Sequence, residues 1–389
     1  MLPRQGGCAP RRGHRHPVHR CEGGAPHAGA EGADHVRCRA GGRGMSGRQT
    51  IVIATPLEAE HVEALRDVAP GRLEVLHEPE LLPPIRYTAD HKGAPFTRDA
   101  AQEQAWRALL AKADILWDFP PAELLDSMPK LRWIQATSTG VGPLAAKLRL
   151  AERGVTVTTA RGVHAGPLAE WVFMALLQHA RGLDHLRREQ AARRWVRYCG
   201  EDLADRTLLL IGGGDLARGC ARIGKALGMR VVALVRRPGQ ERSQAALFDQ
   251  IAPVSDLLEL LPKADAVVVT VPHTPETEGL FGAAAFAAMR PGAAFVNIGR
   301  GAVVEHAALR EALGSGQVGF AALDVTEPEP LPPEDPLWAM PNVLISPHSA
   351  STVSRENARI AAIFRENLLC WLDGRPEAMR NILAPGQLY

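Results

Sequence analysis

The sequence predicts an α/β protein of two doubly wound domains, one inserted in the other. Three observations carry this. Short, uniformly apolar runs alternate with helical stretches from residue 50 onward, the pattern of parallel sheets covered on both faces. One stretch, Leu208 to Arg237, reads L-L-L-I-G-G-G-D-L-A-R-G-C-A-R-I-G-K-A-L-G-M-R-V-V-A-L-V-R-R and sets strand, glycine loop, helix and strand end to end. And 389 residues, 46% hydrophobic and 23% charged, suffice for two cores.

Residues 1–44 stand apart. They carry eight arginines against Glu22, Glu31 and Asp34, a net of +5 that leaves −3 for the rest of a chain whose total is +2. Without aromatic residues or periodicity they cannot bury enough apolar area to offset their ordering entropy, so a disordered tail is expected. Met45, just before the first strand, reads as a natural start. The mildly acidic remainder excludes a surface built for nucleic acid. No apolar run reaches the ~20 residues of a membrane span. The six cysteines form no C-x-x-C pair and the chain is large, so no disulfide framework or metal site is expected, and the location read from this is cytoplasmic.

From Thr50 to Arg161 the strand candidates are Ile51–Ala54, Leu73–Leu76, Ile115–Trp117, Leu131–Ala136 and Val155–Thr158, with helices over Glu58–Val68 and Arg98–Ala111. Pro79, Pro83, Pro84 and Pro95 make Glu78–Thr97 an irregular connection. After the fourth strand comes Ser138-Thr139-Gly140-Val141-Gly142, whose successive N–H groups suit a carboxylate as well as they suit a plain turn. Trp117, Phe119 and Trp133 are candidates for a pocket wall. A helix follows over Pro167–Ala180, with proline at its first position and apolar residues round most of its circumference, which would bury it on several sides and give Glu170 a partner. Leu183–Arg197, rich in arginine, reads as a solvated helical face.

Leu208–Ile211 is then a buried strand, Gly212 to Gly214 a sharp turn with room for a ligand, and Leu216–Leu227 a helix closed by Gly228. A helix N-terminus at such a loop offers N–H groups and a positive dipole end to a pyrophosphate, which makes this a Rossmann-type nucleotide-binding unit. Gly212, Gly214, Asp215 and Leu216 are its loop contacts. The third glycine of the fingerprint is Ala217. Val235 ends the second strand where a ribose-binding carboxylate would stand, and Arg236 and Arg237 follow, a combination that favours a 2′-phosphate. NADPH is therefore expected over NADH, with NADH still possible.

The alternation continues with strands Ala266–Val271, Ala294–Ile298, Phe320–Leu323 and Val343–Ser346, and helices Gly282–Met289 and Glu305–Leu313, the last ended by Gly314. Ligands bind at the carboxyl ends of such strands, here at Val271, Pro272, Gly299, Arg300, Asp324 and Ser346 to His348. The final helix, Ser354–Asp373, is expected to return to the first domain. The predicted division is a flavodoxin-like substrate domain of residues 45–161 and 347–389, interrupted by a dinucleotide-binding domain of residues 162–346.

Six pieces, in this order and spacing, resemble the D-isomer-specific 2-hydroxyacid dehydrogenases: I-Q-A-T-S-T-G-V-G, the glycine loop, V-P-H-T-P-E-T, V-N-I-G-R-G-A-V-V, A-L-D-V-T-E-P-E-P-L-P and I-S-P-H-S-A. The resemblance covers everything from about Ile51. It implies a catalytic trio of Arg300, Glu329 and His348, with Glu327 as a lower-ranked rival for the acid. It implies that Val271, Pro272, Thr277, Ile298, Gly299, Arg300, Asp324 and His348 join the cofactor site, Asp324 facing the nicotinamide carboxamide. Thr139, Gly140, Val141 and Arg300 would hold the substrate carboxylate. The chemistry is coherent: an imidazole titrates near neutrality and can give a proton to a ketone, a carboxylate on its far nitrogen holds the tautomer, and a guanidinium matches a carboxylate. His61, His77, His91, His179, His185 and His306 have no such context and read as structural.

Within the family, Gly142 in place of an acidic residue and the Arg236–Arg237 pair resemble the NADPH-preferring glyoxylate/hydroxypyruvate reductase branch. Gly374–Tyr389 is short for the regulatory extension of phosphoglycerate dehydrogenases, and formate dehydrogenases carry glutamine where Glu329 stands. The resemblance further implies a homodimer acting on a small 2-keto or 2-hydroxy acid. The alternative is a nucleotide-sensing, corepressor-like scaffold on the same fold, which binding without turnover would reveal.

Overall fold

The structure is a computed structural model and describes residues 47–239 and 245–384; the expectations for residues 1–44 and for the last five residues lie outside them. The first sheet is built from β1 (Gln49–Ile53), β2 (Leu73–Leu76), β3 (Ile115–Trp117), β4 (Trp133–Gln135) and β5 (Thr156–Thr158). All pair in parallel, in the order β2-β1-β3-β4-β5 of doubly wound, flavodoxin-like sheets. Helices α1 (Ala59–Arg66), α2 (Ala100–Leu110) and α3 (Gly142–Lys147) connect them. The start of α2 is set by a capping box: Asp99 accepts from the Gln102 N–H at 2.8 Å, and Gln102 accepts from the Asp99 N–H at 3.0 Å.

Two helices, α4 (Ala165–Ala180) and α5 (Leu183–Ala191), lead into the second sheet. It contains β6 (Thr207–Ile211), β7 (Arg230–Val235), β8 (Gln250–Pro253), β9 (Ala266–Val269), β10 (Ala293–Asn297), β11 (Val318–Leu323) and β12 (Val343–Ile345). Its order, β12-β11-β10-β9-β6-β7-β8 and parallel throughout, reverses direction between β6 and β9. That is the switch point at which a crevice opens. Helices α6 (Asp215–Ala226), α7 (Leu257–Leu260), α8 (Ala283–Ala288) and α9 (His306–Ser315) belong to this half, and α10 (Glu356–Leu372) closes the chain. Ile360, Ile363, Phe364, Leu368, Trp371 and Leu372 of α10 lie in the core of the five-stranded sheet, so the last helix does return to the first half. By contrast, Leu168, Val172, Phe173 and Leu176 of α4 pack in the seven-stranded core.

Several elements differ from the sequence reading. Helix α3, strand β8 and helix α7 are additional; each is six residues or fewer, too short to show a period. Helix α4 begins two residues early, so Pro167 is its third residue, still within the first turn where no intrahelical N–H is required. Its face is less enclosed than expected: Met174, Leu177 and Glu170 are exposed. The basic helix stops at Ala191, and residues 194–200 run on without regular structure. Helix α9 passes Gly314 and ends at Gly316, which takes the left-handed cap at φ 78°. Trp117 and Trp133 are fully buried against Phe364, at ring distances of 5.8 and 5.1 Å, so of the three aromatic candidates only Phe119 borders the cleft.

Candidate active site

A cleft of about 1760 Å³ runs along the carboxyl ends of the strands and receives residues from both halves. On its floor, Gly212 sits at φ +118°, and a Cβ there would lie 2.6 Å from the Thr270 hydroxyl. Only glycine satisfies both conditions. That hydroxyl donates to the Ile211 carbonyl at 2.7 Å, joining the ends of the two strands at the switch point. Gly214 starts α6 with no side-chain cap, and nothing lies within 4 Å of where its Cβ would be. The first N–H groups of α6 therefore face open space, the arrangement that receives a pyrophosphate.

Arg218, one turn into α6, was not singled out by the fingerprint. It donates to the Gly213 carbonyl at 3.1 Å and is bonded to Asp215, so the carboxylate at the head of the helix is matched by a cation. Arg236 and Arg237 follow β7 and border the same cleft, exposed. Glu276 is near Arg236; its carboxyl is held below the ordinary range first by the Thr274 hydroxyl and, more weakly, by the Arg236 charge. Val271 and Pro272 line the wall, and Thr277 closes their turn by donating to the Pro272 carbonyl at 2.7 Å and accepting from the Thr274 N–H at 2.8 Å.

Arg300 is delivered by a pinned turn. Asn297, fully buried at the end of β10, accepts from the Gly299 N–H and donates to the Arg300 carbonyl, both at 3.0 Å. The guanidinium donates to the Gly299 carbonyl at 2.7 Å, and its Nη2 lies 2.4 Å from where a Cβ on Gly140 would be. Gly140 thus meets Arg300 across the cleft, with Thr139 and Val141 on either side of it in the chain. Their N–H groups have no acceptor among the described residues, as a carboxylate receptor requires.

His348 stands at φ 53°, a left-handed conformation that costs a residue with a side chain about 1 kcal/mol or more. Asp324 sustains it. The Asp324 carbonyl accepts from the His348 N–H, and its Oδ1 accepts from the N–H groups of Ser349 and Ala350, all at 2.9 Å. The Asp324 carboxylate borders the cleft but is also engaged in holding the histidine loop, a task the motif does not reveal. Nδ1 of His348 lies 2.7 Å from Oε1 of Glu329. Glu327, the rival acid, is exposed, and its N–H donates to Nε2 of His306 at 3.2 Å. Burial keeps His306 titrating below its usual range, consistent with a neutral acceptor that anchors this loop.

A second group of titratable residues borders the cleft on the other side. Glu356, in the first turn of α10, accepts from Nε2 of His164 at 3.1 Å and Nε2 of His91 at 3.4 Å. Burial would raise its carboxyl, but the two imidazoles bring it down to about 2. A depressed native value stabilises the fold above the unfolded value of 4.5 and is lost as pH falls toward 2. Glu356→Gln should therefore lower the unfolding free energy at pH 7 by up to about 3 kcal/mol. The gap to the parent should narrow between pH 4.5 and about 2. Urea unfolding over a pH series checks this; a gap that does not change with pH would sink it.

Residues 173–350 match the family described as D-isomer specific 2-hydroxyacid dehydrogenase, NAD binding domain. A glyoxylate reductase of Korarchaeum cryptofilum is 33% identical over 272 residues, 68% of this chain and 80% of that protein. The chain belongs to the D-isomer-specific 2-hydroxyacid dehydrogenases. A glyoxylate/hydroxypyruvate reductase B of Citrobacter koseri is 35% identical over 273 residues, 67% of this chain and 81% of its own length. A D-isomer specific 2-hydroxyacid dehydrogenase of Xanthobacter autotrophicus, solved with NADPH and MES, superposes with a TM-score of 0.69 at 28% identity, covering 88% of this chain and all of that one. This 2-hydroxyacid dehydrogenase is thus an oxidoreductase acting on CH–OH groups with a nicotinamide cofactor. Among its described residues no helix is long and apolar enough to cross a membrane.

Proposed function

We propose that the enzyme reduces a small 2-keto acid of the glyoxylate or hydroxypyruvate type to the D-2-hydroxy acid, and runs the reverse, with NADPH preferred. The observation that carries this is the His348–Glu329 bond of 2.7 Å on the rim that also bears Arg300 and the Thr139–Val141 loop. Bound at the head of α6, the nicotinamide cofactor supplies the hydride that reaches C2 of the keto acid. Arg300 and the three loop N–H groups hold the substrate carboxylate, and the Arg300 charge polarises the ketone. His348, its Nδ1–H given to Glu329, passes a proton from Nε2 to the carbonyl oxygen; Glu329 fixes the tautomer and stabilises the cationic imidazole.

In this reading residues 45–161 and 347–389 bind the acid and residues 162–346 the dinucleotide. Support comes from α10 lying in the first core and α4 in the second. The preference for NADPH is supported by Arg236 and Arg237 at the cleft, by Val235 in the carboxylate's place, and by the Xanthobacter relative solved with NADPH. A panel of 2-keto acids assayed with both cofactors is the direct test. NADPH binding without turnover of any acid overturns the reading. In the same assay, Arg236→Ala with Arg237→Ala should raise KM for NADPH roughly 10- to 100-fold and KM for NADH little. Equal rises would remove the 2′-phosphate role.

A homodimer is supported by the exposed apolar residues between α4 and residue 198: Met174, Leu177, Leu186, Val196 and Tyr198 are exposed, and Trp195 is 99% exposed. Trp195→Asp should shift the enzyme to the monomer in sedimentation velocity; an unchanged dimer would place the contact elsewhere. A cytoplasmic location agrees with the free thiols of Cys199 and Cys220 and is checked by cell fractionation.

A further inference from the structure

Glu356 places a buried carboxylate at the cleft; it is 5% exposed and is not one of the family's trio as matched by motif. An ionised carboxylate only accepts hydrogen bonds, so His91 and His164 must each turn a protonated Nε2 toward it. This fixes the ring of His164 and presents its Nδ1 to the Thr139 hydroxyl, 3.3 Å away. Thr139 belongs to the loop in which Gly140 lies against the Arg300 guanidinium. His164 is also the residue immediately before α4, which packs in the seven-stranded core, whereas α10, begun by Glu356, packs in the five-stranded core. Two hydrogen bonds through one imidazole therefore tie the starts of both helices to the loop at the cleft.

We propose that His164, held by Glu356, is a positioning residue for the substrate carboxylate: it fixes the Thr139 side chain and with it the Thr139–Val141 loop that receives the acid. This rests on reading that loop as the carboxylate receptor. The chain of contacts is directional. Glu356 sets the ring, the ring sets the hydroxyl, and the hydroxyl sets the loop. No step requires His164 to touch the substrate. A purely structural trio would stabilise the fold without distinguishing the acid from the cofactor; a positioning chain acts on the acid alone.

The test is steady-state kinetics on the full chain, with the best keto acid of the panel and NADPH. Thr139→Val removes the hydroxyl. His164→Gln places an amide nitrogen near the position of Nε2, keeping Glu356 partnered, and puts nothing in place of Nδ1. Each should raise KM for the keto acid about tenfold, with KM for NADPH little changed; Thr139→Val should also keep the melting temperature, whereas His164→Gln, which takes one imidazole from Glu356, should lower it. The double variant should be no worse than either single one, because both break the same link. A parental keto-acid KM in His164→Gln, or a double variant whose effect is the product of the two, overturns the proposal. So does a rise of both KM values together, which marks general loosening. If Thr139→Val itself leaves the keto-acid KM unchanged, the carboxylate-loop reading fails and this inference with it. A raised KM in Thr139→Val beside a parental one in His164→Gln rejects the inference and leaves that reading standing.

Discussion

In His348→Ala, kcat for keto-acid reduction falls by about 10²- to 10⁴-fold, the range spanned by a positioned general acid, while NADPH binds as it does to the parent. The expectation follows from geometry. His348 is anchored by its own N–H on the Asp324 carbonyl and by the next two N–H groups on the Asp324 carboxylate, so the ring's attachment is rigid and its loss leaves no substitute donor at that point. Glu329→Gln separates orientation from charge. The amide oxygen can still accept from Nδ1, but it carries no charge to stabilise the cationic ring, so kcat should fall, though less than in His348→Ala. Fluorescence titration of NADPH beside single-turnover rates decides the matter. Parental turnover in His348→Ala would remove the imidazole from the reaction.

The second large effect is expected at Arg300. Arg300→Ala should cost about 10²- to 10³-fold in kcat/KM, as removal of a charged donor from a developing oxyanion does. Arg300→Lys should recover only part of it, since an ammonium cannot match the carboxylate with a planar fork. Gly140→Ala examines the same contact from the opposite side. The added methyl group would stand 2.4 Å from Nη2 of Arg300, and the guanidinium, as the flexible partner, must move. A shift of about 1 Å can cost on the order of 10²-fold. Gly140 is not in the left-handed region, so the backbone tolerates alanine and the fold should keep its melting temperature. An active Gly140→Ala enzyme would mean that Arg300 does not need its present place.

The elements most legible in the chain were the long or uniformly apolar ones. The seven-stranded sheet could be traced from runs such as Leu208–Ile211 and Val231–Val235 because a strand buried on both faces has no polar residue to interrupt it. Helix α3 and strand β8 escaped for the opposite reason: six and four residues hold too little pattern, and neighbours rather than propensity decide their conformation. Trp117 and Trp133 qualify from the sequence as wall candidates because a large aromatic side chain reads alike in a core and in a pocket, and the packing of Phe364 from the last helix decides for the core.

At the cleft, the order of motifs along the chain was enough to nominate Arg300, Glu329, His348 and the glycine loop. Each sits in a short segment whose local chemistry demands particular residues. The sequence by itself also determined the absent carboxylate and the paired arginines after β7, since side-chain type at a strand end is a local property. Only the tertiary structure decided that Glu329 rather than Glu327 meets His348, that Asp324 holds the histidine loop, that Arg300 rests against Gly140, and that His91, His164 and Glu356 come together. Glu356 is 192 residues from His164 and 265 from His91. No spacing rule spans such distances, because contacts of that kind exist only after the last helix has folded back onto the first core.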